Sequence, residues 1–279
     1  MSLEPATVAL RLRSGTWMRV GRSWARGAQG RGRGPIELVS LAAGLGIWQI
    51  VSISEPHLVP GLQQIASAAR AAASSGTLWS NIGDTMRDLA IGFAISLAAG
   101  LVLGVAMALS PSVAKAVDMY VGWMLAVPEV AVIPFLVAAL GYGYTTRIVV
   151  VIVFAFPVIV QRVMLGVQHV PLQLVDMARS YEVPRAQYLR KVVVPASLPS
   201  IMVGIRLGFA RSMLGIVAAG FLIQLFGLGG SVYLAEQQFQ VPNMFFYVLV
   251  IIVISLLATR LIQRLDRVVT HWNVDAGRG

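Results

Sequence analysis

Residues 36–54 read IELVSLAAGLGIWQIVSIS. These nineteen residues carry one charge, Glu37. That is about the length an α-helix needs to cross the ~30 Å hydrocarbon layer of a bilayer. Immediately upstream, seven arginines fall between Arg11 and Arg33. Such a block is the cytoplasmic flank of a first transmembrane helix, and it sets the N-terminus inside. The stretch Arg19–Arg33 is Gly-rich and polar and reads as a disordered or lipid-associated tail. No apolar core or small-residue cleavage site makes it a secretory signal.

Working outward, five further windows are apolar enough to span: about 86–109, 117–140, 147–168, 200–225 and 244–264. The expected fold is all-α, with six transmembrane helices and both termini cytoplasmic. Charge supports that orientation. The inner segments hold Lys115, then Arg179, Arg185, Arg190 and Lys191, then Arg264, Arg267 and Arg278. The outer segments 55–85, 141–146 and 226–243 hold one basic residue, Arg70. The organisation reads as a basic tail over 1–35, a transmembrane domain over 36–265 with an inner loop at 169–199, and an inner tail over 266–279. Pro56, Pro60 and Gly61 interrupt 55–85. Its GLQQIASAARAAASS stretch predicts a short outer or interfacial helix, and Trp79 suits an interfacial anchor.

The whole composition agrees. Of 279 residues, 57% are hydrophobic and 12% charged, with mean hydropathy +0.76; soluble chains run at about 25% charged. A soluble enzyme, a disordered regulator and a fibrous protein are excluded. The net charge of +10 belongs to the inner flanks rather than to a nucleic-acid surface. With no Cys, and with His57, His169 and His271 far apart, no metal-ligand spacing exists. There is no G-x-x-x-x-G-K-[ST] phosphate loop, no G-x-S-x-G and no H-E-x-x-H, so no catalytic residue, metal or cofactor is expected. Energy for any active process must come from an ion gradient or a separate protein.

The inner loop QHVPLQLVDMARSYEVPRAQYLRKVVVPASLPS is too long and too patterned to be a plain connection. Leu172, Val175, Ala178 and Tyr181 recur at helical spacing. Pro184 biases Val183 toward extended backbone and can open a second helix, RAQYLRKVVV, that runs to Pro195. Two readings fit: a helix–turn–helix projecting from the membrane, or a solvated basic loop meeting anionic head groups.

Asp176-Met177-Ala178-Arg179-Ser180-Tyr181, followed by Tyr188 to Pro195 and Pro199, resembles the EAA loop of bacterial ABC-importer permeases. Asp176 stands at the family's Glu, Ala178 at its second Ala, and Pro195 and Pro199 at its two prolines. Met177 replaces the first Ala, and Glu182 occupies the Gly position, where a left-handed cap costs a non-Gly residue roughly 1 kcal/mol. The stretch from Asn81 to Phe93, with Gly100 and Gly104, is similar to the start of that family's membrane core. Val127-Pro128-Glu129-Val130-Ala131-Val132-Ile133-Pro134 and Gly227-Leu228-Gly229 resemble the nitrate/sulfonate/taurine branch, although Gly220 stands where that branch often has Glu. The resemblance implies a permease of the bacterial inner membrane that carries a small solute, such as an organic or inorganic anion. It implies two copies lining one path, two cytoplasmic ATPase subunits and an outer solute-binding protein. It also implies that Asp176, Ala178, Arg179, Tyr181, Glu182, Val183, Pro184, Tyr188, Pro195 and Pro199 serve coupling to the ATPase.

Two charges fall at mid-span, Glu129 in the third window and Arg211 in the fifth. Such charges face a partner or a watered path. They either pair with each other or line the path with Pro128 and Pro134. Pro128, Pro134 and Pro157 are expected to break or kink their helices, and Arg206 to snorkel or to hold structure. Gly100-x-x-x-Gly104 permits close packing, more naturally within the chain than between copies. The alternative is an ion-coupled secondary transporter with Glu129 as its relay.

Overall fold

The computed structural model describes residues 33–54, 58–223 and 226–270. The tail expected before residue 33, the end from 271, and His57 and His271 lie outside the described residues. The chain forms two compact units, residues 1–59 and 60–279. In the first, α1 spans Arg33–Ser54.

The second unit is helical throughout its described residues. It contains α2 (Leu62–Ser74), α3 (Thr77–Leu109), α4 (Pro111–Ala126), α5 (Glu129–Leu140), α6 (Tyr144–Gln168) and α7 (Leu172–Ser180). Then come α8 (Arg185–Tyr188), a π-turn (Leu189–Val193), α9 (Val194–Leu222), α10 (Gly227–Gln237) and α11 (Val241–Val269). Among the described residues, four helical stretches are long and apolar enough to span: α3, α6, α8 through α9, and α11. The bent pair α4–α5 makes a fifth if counted as one span.

Helix α6 is the axis of the bundle. Each interior apolar cluster contains its residues, from Val150 and Phe154 through Ile159 to Val163. Val and Ile are modest helix formers in water. In an apolar medium the backbone must still bond internally, so the helix persists. Against α6 lies a row on α3 spaced by four residues: Asp88, Gly92, Ser96, Gly100 and Gly104, all buried. A Cβ added at Gly92, Gly100 or Gly104 would lie 2.6–2.7 Å from Val151, Ile159 or Val163 respectively. The two backbones therefore meet at closest approach, and these glycines serve packing within the chain. The pairing advances in the same direction on both helices, so α3 and α6 run parallel. The bent pair between them consequently returns the chain to its starting end. Helix α9 runs antiparallel to α6, since Gly204 meets Arg162 and Gly215 meets Phe154.

Several boundaries differ from the sequence reading. Helix α3 begins at Thr77, nine residues before the expected 86, because its polar first turns are covered by α10 rather than by lipid: Asn81 Nδ2 donates to Ser231 Oγ (2.7 Å). The third span is two helices at 102°, broken at Val127–Pro128. Pro134 and Pro157 sit inside uninterrupted helices, so only Pro128 marks a break. Pro195 does not end the second loop helix. The π-turn bonds Val194 N–H to Leu189 O, which places Pro195 in a new first turn where its missing N–H leaves no donor unmet. The helix therefore continues through Pro199 to Leu222. Helix α10, in a stretch read as an outer loop, was not anticipated.

Candidate functional site

The inner loop folds as a helix–turn–helix. Helix α7 closes with a Schellman motif: Val183 N–H donates to Ala178 O (3.1 Å) and Glu182 N–H to Arg179 O (2.9 Å). That motif needs a left-handed residue after the helix, and Glu182 supplies it at φ 48°. The chain thus keeps the turn that a glycine would give, with a non-glycine residue in it. Pro184 then caps α8. Asp176 and Arg179 are exposed, as are Met177 and, at 78%, Tyr181. Ala178 points the other way: it is 4% exposed within its own chain. Behind α7 lies a cleft of about 680 Å³ whose lining includes Leu109, Ala178, Arg179, Glu182, Arg185 and Tyr188. Leu109 is the last residue of α3, so the loop and that end of α3 share one end of the bundle.

The two charges expected at mid-span meet. Arg211 Nη1 donates to Glu129 Oε2 at 3.2 Å. The Glu129 side chain is 9% exposed and that of Arg211 52%. Glu129 opens α5, directly after the break, so its carboxylate also faces the positive end of that helix. Arg206 Nη1 lies 4.0 Å from Asp266 Oδ2, pairing α9 with α11. His169 Nδ1 lies 2.7 Å from Leu165 O on its own helix. Among the described residues no group of three or more metal-binding side chains occurs.

The sequence reading missed the Arg206–Asp266 pair and also a more deeply buried one. Asp88 on α3 is 1% exposed, and its Oδ2 lies 2.9 Å from Arg147 Nε at the start of α6. The Nε–H is not aimed at the carboxylate, so this contact is an ion pair without a formed hydrogen bond. Arg87 approaches the other oxygen at 3.4 Å from a largely exposed position. Aromatic faces complete the setting: the Arg147 guanidinium lies 4.7 Å from the Phe226 ring centre, and that of Arg87 4.9 Å from Tyr144. Next to the pair, Thr85 Oγ1 accepts from Leu228 N–H (2.9 Å) at the start of α10. A Cβ at Gly220 would lie 2.7 Å from Gly229 Cα, so α9 and α10 touch backbone to backbone. A Glu at position 220 has no room in this arrangement.

A family model described as binding-protein-dependent transport system inner membrane component matches residues 64–271. A "Probable ABC transporter permease protein" of Brucella melitensis biotype 1 is 28% identical over 237 residues, covering 85% of this chain and 96% of that protein. The taurine transport system permease protein of Escherichia coli (strain K12) is 26% identical over 246 residues, covering 85% and 90%. The nitrate import permease protein of a Synechocystis species is 27% identical over 240 residues, covering 83% and 87%. In fold, the chain is similar to a chain of the MetNI methionine ABC transporter solved in an inward-facing conformation. The TM-score is 0.57 at 22% identity, over 69% of this chain and 94% of that one.

Proposed function

Because the chain belongs to the family of binding-protein-dependent transport system inner membrane components, the permeases of ABC importers, we propose that it is one of two identical permease halves in the bacterial inner membrane. It crosses that membrane six times with both termini cytoplasmic. Two copies line the path, two cytoplasmic ATPase subunits supply the energy, and an outer binding protein delivers the solute. The observation that carries the coupling role is the ordered helix–turn–helix at 172–193, closed by the Schellman turn at Glu182. A permease without a phosphate loop needs a rigid inner knob to receive force, and Asp176, Met177 and Tyr181 are exposed on this one. The solute is an anion, as in the nitrate-transporting relative. Glu129 and Arg211 face the path at the broken span, with Pro128 setting the break. A proton-relay role for Glu129 is disfavoured, since its carboxylate is already engaged by Arg211.

The test is uptake of labelled nitrate, bicarbonate and taurine into cells expressing the chain with its ATPase and binding protein. ATP-dependent uptake that vanishes without the ATPase supports the reading. Uptake that persists without the ATPase and follows an imposed ion gradient refutes it. The purified chain alone should neither bind nor hydrolyse ATP.

A further inference from the structure

The cleft of about 680 Å³ behind α7 is bounded by the ends of two apolar spans. Leu109 closes α3, and Leu189 opens the π-turn in the helical stretch that continues as α9. At both ends apolar chain gives way to polar chain, which in a bilayer is the level of the head groups. The rest of the lining is the loop itself: Arg179 from α7, Glu182 from the turn, and Arg185 and Tyr188 from α8. Among the described residues the ion pairs engage Arg87, Arg147, Arg206 and Arg211. Arg179 and Arg185 belong to none of them, and both are exposed. Two free guanidiniums thus face one free carboxylate, Glu182, across apolar side chains. Lys115 in the second turn of α4, and Arg190 and Lys191 directly after Leu189, add exposed positive charge on the adjoining elements. Asp176, Met177 and Tyr181, exposed on the same loop, do not line the cleft.

We propose that this cleft is a binding site for an anionic phospholipid. Its phosphate takes the guanidiniums of Arg179 and Arg185, whose planar forks suit phosphate oxygens. The Tyr188 hydroxyl offers a further donor. The acyl chains follow Leu109 and Leu189 into the bilayer that already surrounds those span ends. A soluble phosphate would use the guanidiniums and leave the apolar lining wet. A zwitterionic lipid would bring its own cation to two arginines. Basic pockets between helices at the cytoplasmic head-group level are the places that hold anionic head groups. Because the cleft joins α7 and α8 to the end of α3, an occupant there stiffens the loop against the bundle. The inference goes beyond the importer reading. It needs the fold of the loop and a bilayer, and no ATPase.

The experiment places the purified full chain in phosphatidylcholine nanodiscs with a rising fraction of phosphatidylglycerol, up to a third, at constant ionic strength. It follows the thermal unfolding midpoint and amide hydrogen exchange. The wild-type midpoint should rise by a few degrees and saturate, and exchange over residues 172–193 should slow several-fold while residues 227–240 stay unchanged. Arg179→Gln and Arg185→Gln should each raise the half-saturating lipid fraction about fivefold, and the double variant should lose saturation. The matching double lysine variant, which keeps both charges and loses the forks, should fall between. Arg260→Gln with Arg264→Gln removes two exposed charges from α11, away from the cleft, and should leave the half-saturating fraction as in wild type. A wild type indifferent to phosphatidylglycerol would leave the cleft to a protein partner and overturn the proposal. Cleft variants that respond as wild type would also overturn it, as would an α11 variant that loses as much as they do, which would reduce the effect to diffuse charge. Glycerol 3-phosphate added to phosphatidylcholine nanodiscs should not stabilise. Stabilisation equal to that by the lipid would make the ligand a soluble phosphate and refute the lipid site. No ATPase is present, so the result stands or falls apart from coupled uptake.

Discussion

Removing Arg147 leaves Asp88 in a place that no carboxylate tolerates alone. The two side chains are 9% and 2% exposed and 2.9 Å apart. Breaking a buried pair from one side costs about 3–5 kcal/mol, because the survivor stays desolvated. Arg87 also touches Asp88, at 3.4 Å, but its side chain is 56% exposed. Such a screened contact returns at most about 1 kcal/mol. Arg147→Gln should therefore destabilise the chain by about 3 kcal/mol. Asp88→Asn should cost somewhat less. The Asn keeps an acceptor oxygen, and Arg147 keeps the face of Phe226 at 4.7 Å, worth roughly 0.5–2 kcal/mol. The double mutant should come within about 1 kcal/mol of wild type, since two neutral amides leave no stranded charge. The measurement is unfolding of the full chain by SDS titration in bicelles, for wild type, both single mutants and the double, with membrane abundance alongside. Costs that add within about 0.5 kcal/mol would refute the pair as an energetic unit. So would an Arg147→Gln chain as stable as wild type.

Gly220→Ala should lower membrane abundance and unfold earlier, by about 1–3 kcal/mol, because its Cβ would meet backbone atoms of Gly229 and Gly230 within 3 Å and neither can swing away; SDS titration checks it. Glu182→Gly should preserve uptake and slow hydrogen exchange at the Val183 amide by a few-fold, since Gly relieves about 1 kcal/mol at φ 48°; faster exchange would contradict the left-handed turn. Ala178→Asp should insert normally yet lose ATPase co-purification and uptake, because an unpaired carboxylate at a 4% exposed position costs several kcal/mol locally; wild-type uptake would refute the coupling role proposed for the loop. A Cys at position 185, in this Cys-free chain, should label only after the membrane is permeabilised.

What could be read from the sequence was what depends on one stretch at a time. Of the six apolar windows, four fall on helices long and apolar enough to span, α3, α6, α9 and α11, and a fifth falls on the bent α4–α5 pair, while the first falls on α1, which is not among them. Hydropathy is a local property, and a bilayer imposes a length threshold on it. The inner loop was legible for a similar reason, since Pro184 and the spacing of Leu172, Val175 and Ala178 are local signals. Glu182 argued against the turn, and the fold formed it regardless: two backbone hydrogen bonds and a following proline outweigh a penalty near 1 kcal/mol. Helix α10 was illegible because GLGGSVYLAEQ has no strong period and four small residues at its start. Those residues make sense only once Gly220 and Thr85 arrive from other helices to cover them. The Asp88–Arg147 pair left a fainter trace. Gly100 and Gly104 mark a close-packing face of α3 in the sequence, and Gly92 and Asp88 lie two and three turns back along that row. Opposite Gly92 is Val151, and one turn back from Val151 is Arg147. The glycine spacing marks a packing row without naming the helix it packs against. With α6 as the parallel partner, the same register sets the carboxylate against the guanidinium. The missing fact was a pairing between helices, and hydropathy, which reads one helix at a time, does not carry it.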